Sequence, residues 1–223
     1  MKPPVTIPLA YHPSFSDAEM LQRAELFYQQ MNQRRTVRHF SNRPVDQAVI
    51  EAAIRSAGTS PSGANLQPWH FVAISNRDIK RTIRLAAEEE EREFYAHRAP
   101  PEWLAALEPL GTDSNKPFLE DAPWLIACMV QPYGFKEDGS QLKHYYAVES
   151  TGIAVGMLIT CLHQAGLATL THTPSPMKFL NAILNRPAFE RPFLLLVVGH
   201  PVLDAQVPDI HRKSLNQIAT ILK

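Results

Sequence analysis

Apolar positions along the chain alternate between two periods. Val49, Ile50, Ala53 and Ile54 recur at three- and four-residue spacing, one face of a helix that opens at Pro44-Val45-Asp46 and closes near Gly58. Before it, Ser16-Asp17-Ala18-Glu19 forms a reciprocal N-terminal cap and predicts a helix to about Gln33. "WHFVAIS" reads as a strand after the loop "TSPSGANLQP". Asn76 or Asp78 then caps a third helix through "IKRTIRLAAEEEEREFYAH". "PWLIACMV" is a buried strand, and Tyr145 to Ala165 a long apolar helix. "LATLTH" and "PFLLLVVG" are two further strands with a short helix between them. The tail from Val207 is polar, then helical or extended.

Strands and helices intermix without strict βα alternation and without GxGxxG. The expected class is therefore α+β, one mixed sheet wrapped by helices around a long central one, in a single domain over 1–223. Gly152 and Gly156 share a face of that central helix and permit close approach of another backbone, in the core or across a subunit interface. "RAPPEWLAALEPLGTDSNKP" is rich in Pro and Gly and weakly patterned; it reads as a mobile cover over a site. The acidic run Glu88 to Glu91 reads, taken alone, as a solvated helix face.

Composition narrows the function classes. With 22 basic and 22 acidic side chains, the chain has no one-sided field for nucleic acid or a membrane surface. Two cysteines, Cys128 and Cys161, lie in apolar settings and read as buried reduced thiols of a cytoplasmic protein. No CxxC or HExxH spacing suggests a metal. The opening "MKPPVTIPLAYHPSFSD" has prolines where a signal peptide would be apolar, and no membrane helix or anchor is expected.

Against this balance, "QRRTVRHFSNRPV" concentrates Arg34, Arg35 and Arg38 around Thr36. Guanidinium forks bind phosphate oxygens bidentately, so three could converge on one dianion; a solvated basic turn is the plainer reading of the string alone. Glu91 and Tyr95, four apart, share a helix face, and with Lys116 they offer an anion, a phenol and a cation, the set a zwitterionic amino acid requires. Taken alone, Glu91 also reads as part of a solvated face and Lys116 as an exposed loop lysine.

Three strings in order, "RRTVR", "PSGANLQPW" and the late strand ending in "GHP", resemble the nitroreductase superfamily of FMN enzymes. The chain further resembles its iodotyrosine deiodinase branch from "HPSFSDAEMLQRAELFYQQMNQRRTVRHFSNRPV" through "EEEEREFY", "HYY" and "THTP" to "VPDIHRKSLNQI". The resemblance implies that Arg34, Arg35, Thr36, Arg38, Ser62, Thr171, His172, Thr173 and Arg212 bind FMN. It implies that Thr173 is the catalytic hydroxyl at flavin N5, favouring one-electron transfer. Ala64 falls where a backbone N–H meets the substrate phenolate, and Glu91, Tyr95 and Lys116 where the amino-acid end of a halotyrosine is held. Residues 90–118 become a substrate lid, and the implied fold is nitroreductase-like, with a mixed, mostly antiparallel sheet surrounded by helices.

The implied activity is FMN-dependent reductive dehalogenation of halotyrosines by a homodimer, with electrons from NAD(P)H or a separate reductase. A broad NAD(P)H-dependent nitroreductase or quinone reductase is the alternative. It would share the flavin residues without needing the clamp, and Asn65 and Gln67 follow the general superfamily pattern.

Overall fold

The computed structural model describes residues 3–223; Met1 and Lys2, which open the stretch read above as lacking a leader, lie outside the described residues. The chain divides into two units, residues 1–34 and 35–223.

The first unit is built on helix α1 (Asp17–Gln33). The expected cap is present: Ser16 Oγ accepts from the Glu19 N–H at 3.3 Å, and Glu19 accepts from the Ser16 N–H at 2.9 Å. Extended backbone at Arg34 ends the helix.

The second unit carries four central strands: β1 (Trp69–Ile74), β2 (Trp124–Val130), β5 (Ala168–His172) and β6 (Arg191–Gly199), in the order β1-β2-β6-β5. Every neighbouring pair is antiparallel. Side chains of alternate residues point to opposite faces, and the two faces have separate cores. Leu125, Ala127, Met129, Leu195 and Val197 join one core with Ile83 and Ala87 of α3 (Arg77–Glu93), Phe118 and Leu119 of α5 (Phe118–Asp121) and Leu180 of α7 (Phe179–Ile183). Trp124, Ile126, Cys128, Leu194, Leu196 and Val198 join the other with α2 (Gln47–Gly58) and α6 (Ala147–Gln164). β2 and β6, covered on both sides, therefore lack the polar alternation of a half-exposed strand.

The basic stretch is an added edge. Thr36 forms a parallel bridge with Thr169 of β5, and the Val37 N–H donates to Thr169 O at 3.3 Å. Val37 and Phe40 insert into the first core. This single parallel contact leaves the side chains on either side of Val37 beside the end of β5.

Four expectations are revised. The cover region is not structureless. Residues Phe94–Arg98 widen into a π turn, closed by Ala99 N–H to Phe94 O at 2.8 Å; helix α4 (Pro101–Leu107) and a 3-10 turn (Glu108–Leu110) follow. The prolines that suggested a loop occupy helix starts, where a missing N–H costs nothing. A hairpin of β3 (Tyr133–Phe135) and β4 (Gln141–Lys143) was not expected, because three-residue strands show no readable period. Cys161 is only half-buried, whereas Cys128 is fully buried; both are free thiols.

The fourth revision concerns the acidic run. Glu88 takes Arg84 at 2.8 Å, Glu89 takes Arg92, Glu90 takes Arg98 at 2.9 Å and Glu91 takes Lys116 at 3.3 Å. Of these, Glu89 is the exposed pair; Glu88 and Glu91 are enclosed by the segment that leads back to the sheet. The tail adds a short helix, α8 (Leu215–Ile218).

Candidate active site

Three pieces of the second unit converge on a cleft of about 190 Å³. The basic edge brings Arg38, and the end of β5 brings Thr171, His172 and Thr173. The end of α3 and the segment after it bring Glu91, Tyr95, Thr112 and Lys116. Phe94, Trp103 and Leu107 add apolar surface on the side of the cover. The Phe94 ring meets the Trp103 ring edge-on at 5.0 Å, which ties α4 to the π turn.

At the charged end, Lys116 is only 2 % exposed. Its ammonium has three protons and three partners: Glu91 Oε2 at 3.3 Å, Thr112 Oγ1 at 3.1 Å and the Asp113 carbonyl. Its backbone N–H donates to Glu88 Oε1 at 2.8 Å, and Arg84 fixes Glu88 in turn. Nζ also lies 5.7 Å from the centre of the Tyr95 ring, whose hydroxyl donates to Thr112 Oγ1 at 3.5 Å. Burial pushes the Glu91 carboxyl above the usual carboxylate range, outweighing the attraction of Lys116. Burial also raises Tyr95. Both therefore sit in a poorly solvated pocket, where a charged ligand group is an effective partner.

The other end carries an unused cation. Arg38 is half-buried and, among the described residues, makes no ion pair or side-chain hydrogen bond; burial lowers its affinity for its proton. It lines the cleft and also an adjoining hollow formed with Thr36 and Gly111. Arg35 donates to the Pro208 carbonyl, fastening the basic edge to the C-terminal stretch.

His172 is 6 % exposed, packs edge-on against Phe118 at 5.6 Å, and has a buried Nε2 without a hydrogen-bond partner among the described residues. Burial, then the charges of Lys116 and Arg38, lower its pKa to about 3. The ring is a neutral imidazole at ordinary pH.

Ser62 and Ala64 are not part of this cleft. They form the turn before β1, at the sheet edge opposite β5. Two strands intervene, a separation of roughly 14 Å at strand spacing. The turn is strained: Ala64, Asn65 and Gln67 have φ of 51°, 53° and 48°. Such left-handed conformations in non-glycine residues cluster at ligand-binding segments. It packs on the start of α6, where the Gly63 N–H points to Ser150 Oγ at 3.4 Å and a Cβ on Gly63 would lie 2.7 Å from Tyr145 O. Arg34 ends the first unit, and Arg212 lies exposed in the C-terminal stretch.

Sequence reasoning passed over Thr112, Asp113 and Trp103. Nothing in "GTDSNK" signals that its hydroxyl and carbonyl face a lysine, since the contact depends on how the loop turns back. Trp103, a large aromatic in a polar Pro-rich stretch, was a readable signal of a surface that covers something.

Among proteins of known family, the model for the nitroreductase family matches residues 31–200. The iodotyrosine deiodinase of Haliscomenobacter hydrossis is 53% identical over 210 residues, covering 94% of each chain. Iodotyrosine deiodinase 1 of Homo sapiens is 43% identical over 210 residues, covering 93% of this chain and 72% of that one. A crystal structure of oxidized iodotyrosine deiodinase bound to FMN and 3-iodo-L-tyrosine superposes with a TM-score of 0.73 at 27% identity, covering 87% of this chain and all of that one. A BluB-like flavoprotein from Clostridium difficile, at 20% identity and a TM-score of 0.67, shares the fold. With a cation-and-carboxylate cleft at one edge of its sheet and this extent of likeness, the chain belongs to the nitroreductase family, in its iodotyrosine deiodinase branch.

Proposed function

We propose that this protein is an FMN-dependent reductive dehalogenase that converts a halogenated tyrosine to tyrosine and halide. The observation that carries the reading is the enclosed Glu91–Lys116 pair, 3.3 Å apart beside Tyr95. An anion and a cation held together at the end of a small cleft match the ammonium and carboxylate of an amino acid. Substrate would insert its own pair, its ammonium taking Glu91 and its carboxylate taking Lys116, so that no buried charge is left alone.

The residues present fit FMN. Half-buried Arg38, without a counter-ion among the described residues, calls for an acceptor-rich anionic group; Thr36 lines the adjoining hollow, Arg35 donates to Pro208 on its wall, and Thr171, His172 and Thr173 line the cleft. Arg34 is next in sequence, and Arg212 completes the set on resemblance. A crystal structure in the same branch holds FMN together with 3-iodo-L-tyrosine. When bound, FMN supplies electrons singly.

In the reaction the carbon–halogen bond breaks and halide leaves with the bonding pair. Two electrons and one proton put hydrogen on the ring carbon. The chain's own contributions are positional. Arg38 holds an anionic group, neutral His172 adds no second positive charge beside it, and Glu91, Tyr95 and Lys116 orient the amino acid. Phe94, Trp103 and Leu107 exclude water, as a lid over residues 90–118 requires. Thr173, which lines the cleft beside His172, would offer its hydroxyl to the flavin when FMN is bound.

Ala64 and Ser62 join this site only from a second copy, since the sheet separates them from the cleft within one chain. A homodimer through α6 is consistent with its exposed Val148 and Ile153, the neighbouring exposed Tyr145 and Tyr146, and the absence of any buried residue on α1. The physiological reductant is NAD(P)H or a separate reductase.

The test is anaerobic turnover of the dithionite-reduced, FMN-loaded protein with iodo-, bromo- and chlorotyrosine, and a nitroaromatic as control. Stoichiometric tyrosine and halide are expected. Nitroaromatic reduction without halide release would replace this reading by a broad nitroreductase.

A further inference from the structure

Of the three partners of the Lys116 ammonium, only one has somewhere else to go. When an amino acid binds, the ligand's ammonium can take Glu91, whereas the Thr112 hydroxyl and the Asp113 carbonyl have no other cation among the described residues. They remain to hold Lys116 in place. The Asp113 contact is made by backbone and comes with the turn. The Thr112 contact is made by a side chain, and that same oxygen also receives the Tyr95 hydroxyl. Tyr95 and Lys116 come from different elements, one from the π turn after α3 and the other from the return loop before α5. Among the described residues, Thr112 Oγ1 is the side-chain atom that hydrogen-bonds to both.

We infer that Thr112 is a positioning residue for substrate recognition: its hydroxyl oxygen sets the spacing between Lys116 and Tyr95 and so decides selectivity for the amino-acid end of the ligand. The inference rests on the halotyrosine reading given above and deepens it. With the oxygen removed, the buried ammonium loses one of its two lasting partners, and the phenol loses the one hydrogen bond it makes among the described residues. The clamp then recognises the zwitterion less well, while the aromatic end of the ligand, away from Thr112, is unaffected.

The prediction separates a positioning role from a merely structural one. Thr112→Val preserves shape and deletes the hydroxyl; Thr112→Ser preserves the hydroxyl. In the FMN-loaded protein, Thr112→Val should bind 3-iodotyrosine about tenfold more weakly, as expected for loss of one hydrogen bond to a charged group. The readout is titration calorimetry, with flavin fluorescence in parallel. KM should rise with little change in kcat. Binding of 2-iodophenol, which has no amino-acid end, should be unchanged in the same preparation, and Thr112→Ser should restore iodotyrosine binding to within about twofold of the parent.

Equal binding of iodotyrosine by the parent and Thr112→Val overturns the assignment, as does an equal loss of iodophenol binding, which would indicate general damage. A parent that binds 2-iodophenol but no better when the amino-acid end is added defeats the halotyrosine reading itself, and the role of Thr112 with it. The two failures are thus told apart by the parent protein alone. Thr112 is half-buried in a loop, so the valine variant is expected to fold; should its melting curve collapse, the serine variant and Thr112→Ala on the same two ligands decide the matter by the same ratio.

Discussion

Glu91 Oε2 and Lys116 Nζ stand 3.3 Å apart in a pocket that leaves both side chains nearly enclosed. Neither is needed to build the sheet, and both lie on the segment that covers the cleft. Burial raises the pKa of Glu91 even with Lys116 beside it, so the pair contributes little to stability that an apolar pair would not. Its position fits the recognition role proposed above.

Glu91→Gln removes the anion, keeps the shape and leaves Lys116 without its charged partner. Removing one member of a desolvated charge pair costs about 2–5 kcal/mol in recognition. We expect kcat/KM for iodotyrosine to fall by at least about thirtyfold, by the same energies, with nitroaromatic reduction nearly intact. Parallel steady-state assays with the two substrates check this; equal losses would remove Glu91 from the clamp.

Arg38→Met keeps the length of the side chain and removes a half-buried charge that makes no ion pair among the described residues. If that charge holds an anionic cofactor, FMN affinity of the apoprotein should drop by at least about tenfold. Fluorescence titration of FMN measures it. Because no described residue is a counter-ion that the change would strand, the melting temperature of the apoprotein should hold or rise, and a pronounced fall would mark a structural role instead.

His172 gives the protein an acid limit. Its folded pKa is about 3 against an ordinary 6.5, so the unfolded chain binds a proton that the folded one refuses. Stability from this residue is fully present above about pH 6.5 and falls as pH drops toward 3. The slope reaches up to about 1.4 kcal/mol per pH unit. Chemical denaturation between pH 7 and 4 should show this slope, and His172→Phe should flatten it. An unchanged slope in the variant would shift the acid sensitivity to other groups.

Gly156 lies on an exposed part of α6, and a Cβ there would meet nothing within 4 Å in the single chain. Gly156→Leu should therefore leave the folded chain intact, and the better helix propensity favours it by roughly 1 kcal/mol. If α6 packs against a second copy, the same change should shift the dimer toward monomer. Sedimentation velocity at micromolar concentration distinguishes the two, and a dimer of undiminished strength would place the interface elsewhere.

The elements with strong local signals were legible one at a time. The cap at Ser16, the helix opened by Asp46 and the buried run "LLLVVG" need only neighbours in sequence to declare themselves. The β3–β4 hairpin and the helix at Pro101 were not legible, the first for lack of length and the second because proline marks both loops and helix starts. Thr112 was beyond reach for a different reason: its importance lies in two contacts made only after the chain turns back.

By itself, the sequence determined which residue types were available: three arginines around Thr36, a carboxylate and a phenol one helical turn apart, and a lysine downstream. Charge and periodicity are properties of the string, and they survive without a fold. Only the tertiary structure decided which of these groups meet. Antiparallel pairing put Thr171 to Thr173 at the edge joined by Thr36, and set the Ser62–Ala64 turn at the opposite edge. Burial then turned an acidic run into four separate pairings, one of them the Glu91–Lys116 pair. Desolvation is a property of the assembled surroundings, and it made an imidazole neutral and a guanidinium available where the sequence offered only a histidine and an arginine.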